Sequence, residues 1–186
     1  HVSDQTMKPT RLLLVWLAVL LGLSVLLGAF AALQFKVPNT LNSVTWGLLL
    51  ALLLLALLDA GRLRRRPSPR VRRQMPGSLA LGRWEDVRVS LEHDYRQPLT
   101  VKVFDHVPDG LSVDNLPQTI ELRPDEHSEL GYRLRPLRRG HFGFARCEVH
   151  LPSPLGLWSA RRLVEVTDAT RVYPDFARLY GAQLLA

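Results

Sequence analysis

Two apolar runs near the N-terminus constrain this chain more than anything else in it. Leu12 to Leu33 is 22 residues without a charge, and Leu41 to Leu58 is another 18. At about 1.5 Å per residue the first helix spans roughly 33 Å, enough for a hydrocarbon core of about 30 Å. Lipid offers the backbone no water, so both runs are expected to be helical. A pair of buried helices in a soluble core is the weaker alternative, because such a core does not need two adjacent helices that are apolar all round. A cleaved signal peptide is another. Lys8 and Arg11 form a basic start and Ala29-Phe30-Ala31 resembles a cleavage site, but the run is long for such a leader.

Charge placement sets the expected orientation. The chain carries a formal net charge of +7, but residues 1–73 hold +8 and residues 74–186 hold −1. The basicity therefore belongs to a membrane-proximal segment joined to a nearly neutral domain. Seven arginines lie between Asp59 and Arg73, whereas the loop Gln34–Thr40 has only Lys36. Basic residues stay in the cytoplasm, so both termini are expected inside, with Pro38 and Asn39 in the outer turn. Trp16 and Trp46 then lie near opposite interfaces. Arg62, Arg64, Arg65, Arg66, Arg70, Arg72 and Arg73 are expected at the membrane interface, facing anionic headgroups. No aromatic residues are interleaved among them for base stacking, which speaks against nucleic acid. Pro67 and Pro69 should end the second helix. Ser24, Gly28 and Ala32 on one helix, with Gly47 and Ala51 on the other, have the small-residue spacing that lets backbones approach. They are the expected packing residues, the alternative being that Gly and Ala are simply common in membrane helices, and a homo- or hetero-oligomer could form through the same helices. The absence of charge within either run speaks against an ion pathway.

From Leu79 the pattern changes to period two. Val87, Val89 and Leu91 alternate with polar residues, as do Leu99, Val101 and Val103, then Leu130, Tyr132 and Leu134. Turn residues such as Pro108-Asp109-Gly110 and Arg139-Gly140 separate the runs. About seven short strands predict an antiparallel β-sandwich, with a bulge near Ala145–Cys147 where the alternation slips. The expected organisation is an N-terminal tail over 1–11, a transmembrane hairpin over 12–58 and an arginine-rich linker over 59–78. The sandwich follows over 79–175, and 176–186 would begin a further segment.

Chemistry is sparse. No phosphate loop, zinc-protease or nucleophile-elbow motif is present. The single Cys147 rules out an internal disulfide and reads as a small buried hydrophobe. The histidines are scattered, with Asp105-His106 and Glu126-His127 near turns and expected in solvent. No catalytic, cofactor or metal residues are assigned. Arg138, Arg139, Arg161 and Arg162 are the expected surface cluster for a partner.

Three motifs in order carry a resemblance. They are Arg139-Gly140-His141-Phe142-Gly143, then Pro152-Ser153-Pro154-Leu155-Gly156-Leu157-Trp158, then Val172-Tyr173-Pro174. With the hairpin and basic linker before them, they resemble the "domain of unknown function 58" family of bacterial membrane proteins. That family's pattern is approximately Arg-Gly, aromatic, Gly, then Asp-Pro-Phe-Gly-Leu-Phe, then Val-Tyr-Pro. Here Ser153 stands for the common Asp, Leu155 for the first Phe and Trp158 for the second. The likeness runs from about Lys8. It implies a protein of the bacterial inner membrane, followed by a von Willebrand A-like domain beyond Ala186. It also implies work with a MoxR-type AAA+ ATPase in protein maturation or complex assembly. The motif residues Arg139, Gly140, Pro154, Gly156, Leu157, Tyr173 and Pro174 read as fold determinants, with Leu157 and Trp158 plugging one end of the sandwich. The expected role is a cytoplasmic scaffold without catalysis. An envelope enzyme with its catalytic part outside this chain, and a transporter subunit, are the alternatives.

Overall fold

The computed structural model describes residues 5–174. The expected segment over 176–186 lies outside the described residues. The chain forms two compact units. One holds Thr6–Pro67 together with Leu151–Ala160; the other holds Ser68–His150 and the chain from Arg161.

In the first unit a short strand β1 (Gln5–Pro9) leads into α1 (Arg11–Ala32), and α2 (Asn39–Arg65) returns. The tail expected over 1–11 thus contains a strand. Both helices are long and apolar enough to cross a membrane, with mean hydropathies of 2.7 and 2.2 over their most apolar stretch. The second helix outruns its apolar sequence by about two turns and stops just before Pro67, as proline requires.

The seam between the helices differs from the expected one. On α1 the covered positions are Leu13, Leu17, Leu20, Ser24 and Leu27; on α2 they are Thr45, Leu49, Leu52, Ala56, Asp59 and Leu63. Steps of four and three alternate in both, which is the spacing of a left-handed helix pair. Ser24 lies in this seam. Gly28, Ala32, Gly47 and Ala51 are exposed, and a Cβ added at Gly28 or Gly47 would meet nothing within 4 Å. Leucines fill the seam because they interdigitate at this spacing, whereas the small-residue stripe lies to its side.

The second unit is a two-sheet β-structure. One sheet contains β2 (Arg70–Gln74), β4 (Glu85–Glu92), β8 (Ser128–Pro136) and β6 (Leu111–Asp114), in that order. The other orders β10 (Trp158–Tyr173), β9 (Gly140–Pro152), β5 (Leu99–Asp105) and β7 (Gln118–Leu122). The short β3 (Ser78–Ala80) runs parallel to β10, matching Ser78 with Arg171 and Ala80 with Tyr173. This parallel pair departs from an all-antiparallel sandwich. The alternation expected from the sequence is realised: Val89, Leu91, Val101, Val103, Leu130 and Leu134 are all buried. Each such side chain contributes about 1.5–3 kcal/mol on leaving water. Burial slips by one residue at Ala145–Arg146, both exposed between buried Phe144 and Cys147.

The β-domain also begins earlier than the sequence indicates. β2 lies in the stretch read as linker and pairs with β4, with Arg73 opposite Val89. Its arginines hide the strand, because they supply the exposed half of a period-two pattern in which Val71 and Arg73 face inward.

Candidate functional site

The resemblance motif Pro152–Trp158 is the turn between β9 and β10, and it belongs to the unit of the two helices. Gly156 supplies the left-handed conformation, with φ 73°, that closes the turn. Leu157 is buried with Leu13 and Ala56, and Leu17, Leu52 and Trp158 pack around them. Leu157 and Trp158 therefore seat on the helix pair and do not plug the sandwich.

Polar groups hold the turn in place. Asp59 is fully buried at the end of the apolar run of α2. Its carboxylate accepts the Leu155 N–H at 2.9 Å and the Leu157 N–H at 3.3 Å. The Trp158 indole donates to the Ala56 carbonyl at 2.9 Å, although that carbonyl lies within the helix. Thr10 precedes α1 and grips the other side. Its hydroxyl donates to the Gly156 carbonyl at 2.6 Å and its N–H to the Leu157 carbonyl at 2.9 Å. Arg66 Nη1 donates to the Pro152 carbonyl at 2.6 Å. Ser153 closes the turn on itself: its hydroxyl accepts the Trp158 N–H at 3.0 Å and its N–H reaches the Trp158 carbonyl at 2.9 Å. Ser153 thus caps the turn with its own side chain.

Within the β-unit, Arg73 forms a buried polar centre. Its Nε donates to Asp105 Oδ2 at 2.8 Å, and Nη2 donates to the other oxygen of the same carboxylate. Nη1 reaches Asp168 Oδ2 at 3.0 Å and the Val166 carbonyl at 2.9 Å. The Tyr132 hydroxyl donates to Asp105 Oδ2. β2 and β8 are thereby tied to β5 and β10, one sheet to the other. Burial opposes the charge on Arg73, but the Asp105 carboxylate more than offsets it and raises the pKa. Burial and the Asp105 charge raise the Tyr132 pKa, keeping the phenol neutral. Burial, reinforced by Asp105, pushes the Cys147 thiol up to about 12. That is the reverse of nucleophile activation.

A second cluster joins Glu148 and His150 on β9, Arg161 on β10 and His106 just after β5. Burial favours the neutral form of Glu148, yet hydrogen bonds from Arg161, His150 and His106 hold its pKa down at about 2. Arg161 Nε and Nη2 reach the carboxylate at 2.6 and 3.1 Å. His150 Nε2 is 2.7 Å from Oε1 and His106 Nε2 is 2.9 Å from Oε2. Among the described residues, no group of three or more His, Cys, Asp or Glu is arranged to hold a metal.

The structure redistributes the residues expected at the membrane interface. Trp16 and Trp46 are exposed on the helices, and Arg62, Arg64 and Arg65 are exposed at the end of α2. Arg66 is half-buried against the motif turn. Arg70 and Arg72 lie on β2 near Glu92, at 3.8 and 4.0 Å. Arg73 is the clear correction, with a side chain only 1% exposed and two carboxylates for partners. Asp105, which the sequence places near a turn, is the buried carboxylate that offsets the cost of burying Arg73.

The other motif residues are dispersed. Arg139 is exposed, Gly140 opens β9 at φ 141°, Tyr173 ends β10 and Pro174 follows it. Pro154 is exposed, while Gly156 and Leu157 form the seated turn. The expected arginine surface cluster does not hold together. Arg162 is buried and donates to Ser68 Oγ at 3.1 Å, and Arg161 is engaged by Glu148; Arg138 and Arg139 remain exposed. Asp59 is the residue that sequence reasoning missed. Its signal was a lone carboxylate at the edge of an apolar run, a place where such groups are rare unless partnered.

No family model and no curated protein matches this chain. Solved structures share a partial likeness. An E. coli alpha-2-macroglobulin in its native conformation aligns over 57% of this chain at 16% identity and a TM-score of 0.44. A Salmonella alpha-2-macroglobulin mutant aligns over 58% at 17% identity with the same score. In each case the aligned chain spans 7% of the macroglobulin's length. A CARDB domain from Pyrococcus furiosus, in complex with di-metal ions, aligns over 58% of this chain and 91% of its own at 15% identity and a TM-score of 0.36. At these scores the likeness identifies neither family nor function.

Proposed function

We propose that this chain is a membrane-anchored scaffold of the bacterial inner membrane, with its β-domain and both termini in the cytoplasm. On this reading the hairpin crosses the bilayer twice, and the β-domain offers a platform to partner domains. The observation that carries it is the seated motif turn. The connection between the two longest strands is a component of the helical unit, gripped by Thr10 from α1's start and Asp59 from α2's end.

The orientation is supported by Arg62, Arg64, Arg65 and Arg66 directly after the second span, against Lys36 alone in the opposite loop. A MoxR-type AAA+ ATPase is the proposed partner, and protein maturation or complex assembly the proposed task, both resting on the motif resemblance. The polar groups described above serve structure: each of Arg73, Asp105, Glu148 and Asp59 is engaged by neighbours within its own unit. Anionic headgroups are the proposed lipid contact of the exposed arginines.

Cysteines introduced at Asn39 and Ser78 test the topology. In intact cells an impermeant thiol reagent should label Asn39→Cys and spare Ser78→Cys until the membrane is opened. Labelling of Ser78→Cys in intact cells would reject the cytoplasmic scaffold. Co-purification from membranes of the native host should recover an AAA+ ATPase; its consistent absence, with the protein intact, would remove that partner.

A further inference from the structure

We infer that the turn between β9 and β10 is itself a membrane element: a wedge, tipped by Leu155, inserted among the lipids of the arginine-side leaflet. This inference rests on the reading that α1 and α2 span the bilayer.

The fastenings of the turn set its level. The turn is fastened to α2 at Asp59, immediately after the apolar run, and its Trp158 indole bonds to Ala56. Three residues of helix separate these contacts, about 4.5 Å along the axis. The Trp158 contact therefore lies deeper than the Asp59 contact. On the other side of Asp59, Arg62 follows about one turn later and Arg65 about two, the distance at which cations meet lipid phosphates. A turn fixed between Ala56 and Arg62 is at the boundary between acyl chains and headgroups.

The turn's backbone donors are paired internally. Lipid penalises unsatisfied backbone donors and acceptors alike. Pro152 and Pro154 have no N–H. The N–H groups of Ser153, Leu155, Gly156, Leu157 and Trp158 each have a partner within the unit: the Trp158 carbonyl, Asp59, the Ser153 carbonyl, Asp59 and the Ser153 hydroxyl. Carbonyls of Pro152, Ser153, Gly156, Leu157 and Trp158 accept in turn. A solvated surface turn has no need of five internally paired donors, since water would serve.

One face of the turn is left uncovered. With its donors turned inward, the turn presents Pro154 and Leu155, the latter 47% exposed. An apolar tip beside exposed arginines matches an anionic lipid surface in both character and charge. The same lipids already surround the two helices, so the wedge extends one continuous contact.

The test uses the full chain reconstituted in bilayers of phosphatidylcholine and phosphatidylglycerol. Nitroxide labels are placed at Leu155→Cys, at Leu21→Cys on the exposed face of α1, and at Ser78→Cys on the β-domain. Collision with oxygen reports lipid exposure, and collision with a water-soluble nickel chelate reports water. Leu155→Cys should collide with the chelate several-fold less than Ser78→Cys does, while its oxygen collisions approach those at Leu21→Cys. Pro154→Cys, also exposed, should behave the same way and guards against a local effect of one label. Chelate access at position 155 equal to that at 78, with Leu21→Cys still in lipid, would overturn the wedge and leave the spans intact. Chelate access at Leu21→Cys as well would remove the spans and the wedge together. Shielding of position 155 from both reagents would mean that protein covers it, which also overturns the inference.

Discussion

Replacing Asp105 by alanine should damage the β-unit more than any change to its surface. Asp105 receives two donors of Arg73 and the Tyr132 hydroxyl, and it is fully buried. Its removal leaves a buried guanidinium with Asp168 and two carbonyls as its remaining acceptors. Losing one partner of a buried pair costs about 3–5 kcal/mol, since the surviving charge keeps its desolvation penalty. Domains are stable by only about 5–15 kcal/mol, so the loss takes a large share. At about 4 °C or more per kcal/mol, the midpoint should fall by roughly 12 °C or more. The assay is thermal unfolding of the full chain in lipid discs, followed by near-ultraviolet circular dichroism. A triple variant separates pairing from packing. Arg73→Met, Asp105→Leu and Tyr132→Phe together remove the charges and the phenol, leaving Asp168 near enough to the surface to be solvated. Apolar replacement of a buried ion pair is often close to neutral, so the triple variant should recover most of the loss. A cost below about 1 kcal/mol for Asp105→Ala, the range of exposed ion pairs, would refute the reasoning.

Glu148 should shape the acid limb of stability. Its pKa falls from an ordinary 4.5 to about 2 on folding, so its contribution is complete above 4.5 and disappears as pH falls toward 2. Acid titration of Glu148→Gln should show a shallower decline across that window, and an unchanged slope would count against the cluster. Asp59→Ala should strand the Leu155 and Leu157 N–H groups at a cost of about 1–3 kcal/mol, read as faster proteolysis within 151–160 while the β-unit's melting holds. Equal proteolysis of variant and parent would show that Asp59 does not fasten the turn. Cys147, buried with its thiol at about 12, should resist alkylation at neutral pH until the domain unfolds. Rapid labelling of the folded chain would contradict its placement.

The sequence by itself determined the elements whose signal is local. A stretch of 22 uncharged apolar residues has one stable backbone solution in lipid, and it is helical in the structure. Alternation at Val87–Leu91 and Leu99–Val103 specifies which side chains turn inward, because a strand's two faces differ by a single residue step. Even the slip at Ala145–Arg146 was legible this way. Partnership between distant residues was decided only by the tertiary structure. Arg73 reads as one more arginine in a basic run, because nothing near it in sequence reveals Asp105, 32 residues on. Asp59 lies 96 residues from the Leu155 N–H that it accepts, so the residue that fastens the motif turn carries no local mark of the task. The helix seam was misplaced for a related reason. Small residues permit close approach, but a run rich in leucine supplies several faces able to pack, and the fold selected the one that Leu157 and Trp158 could join. Local periodicity reports which groups avoid water; a buried charge is tolerable only where the rest of the chain brings its partner.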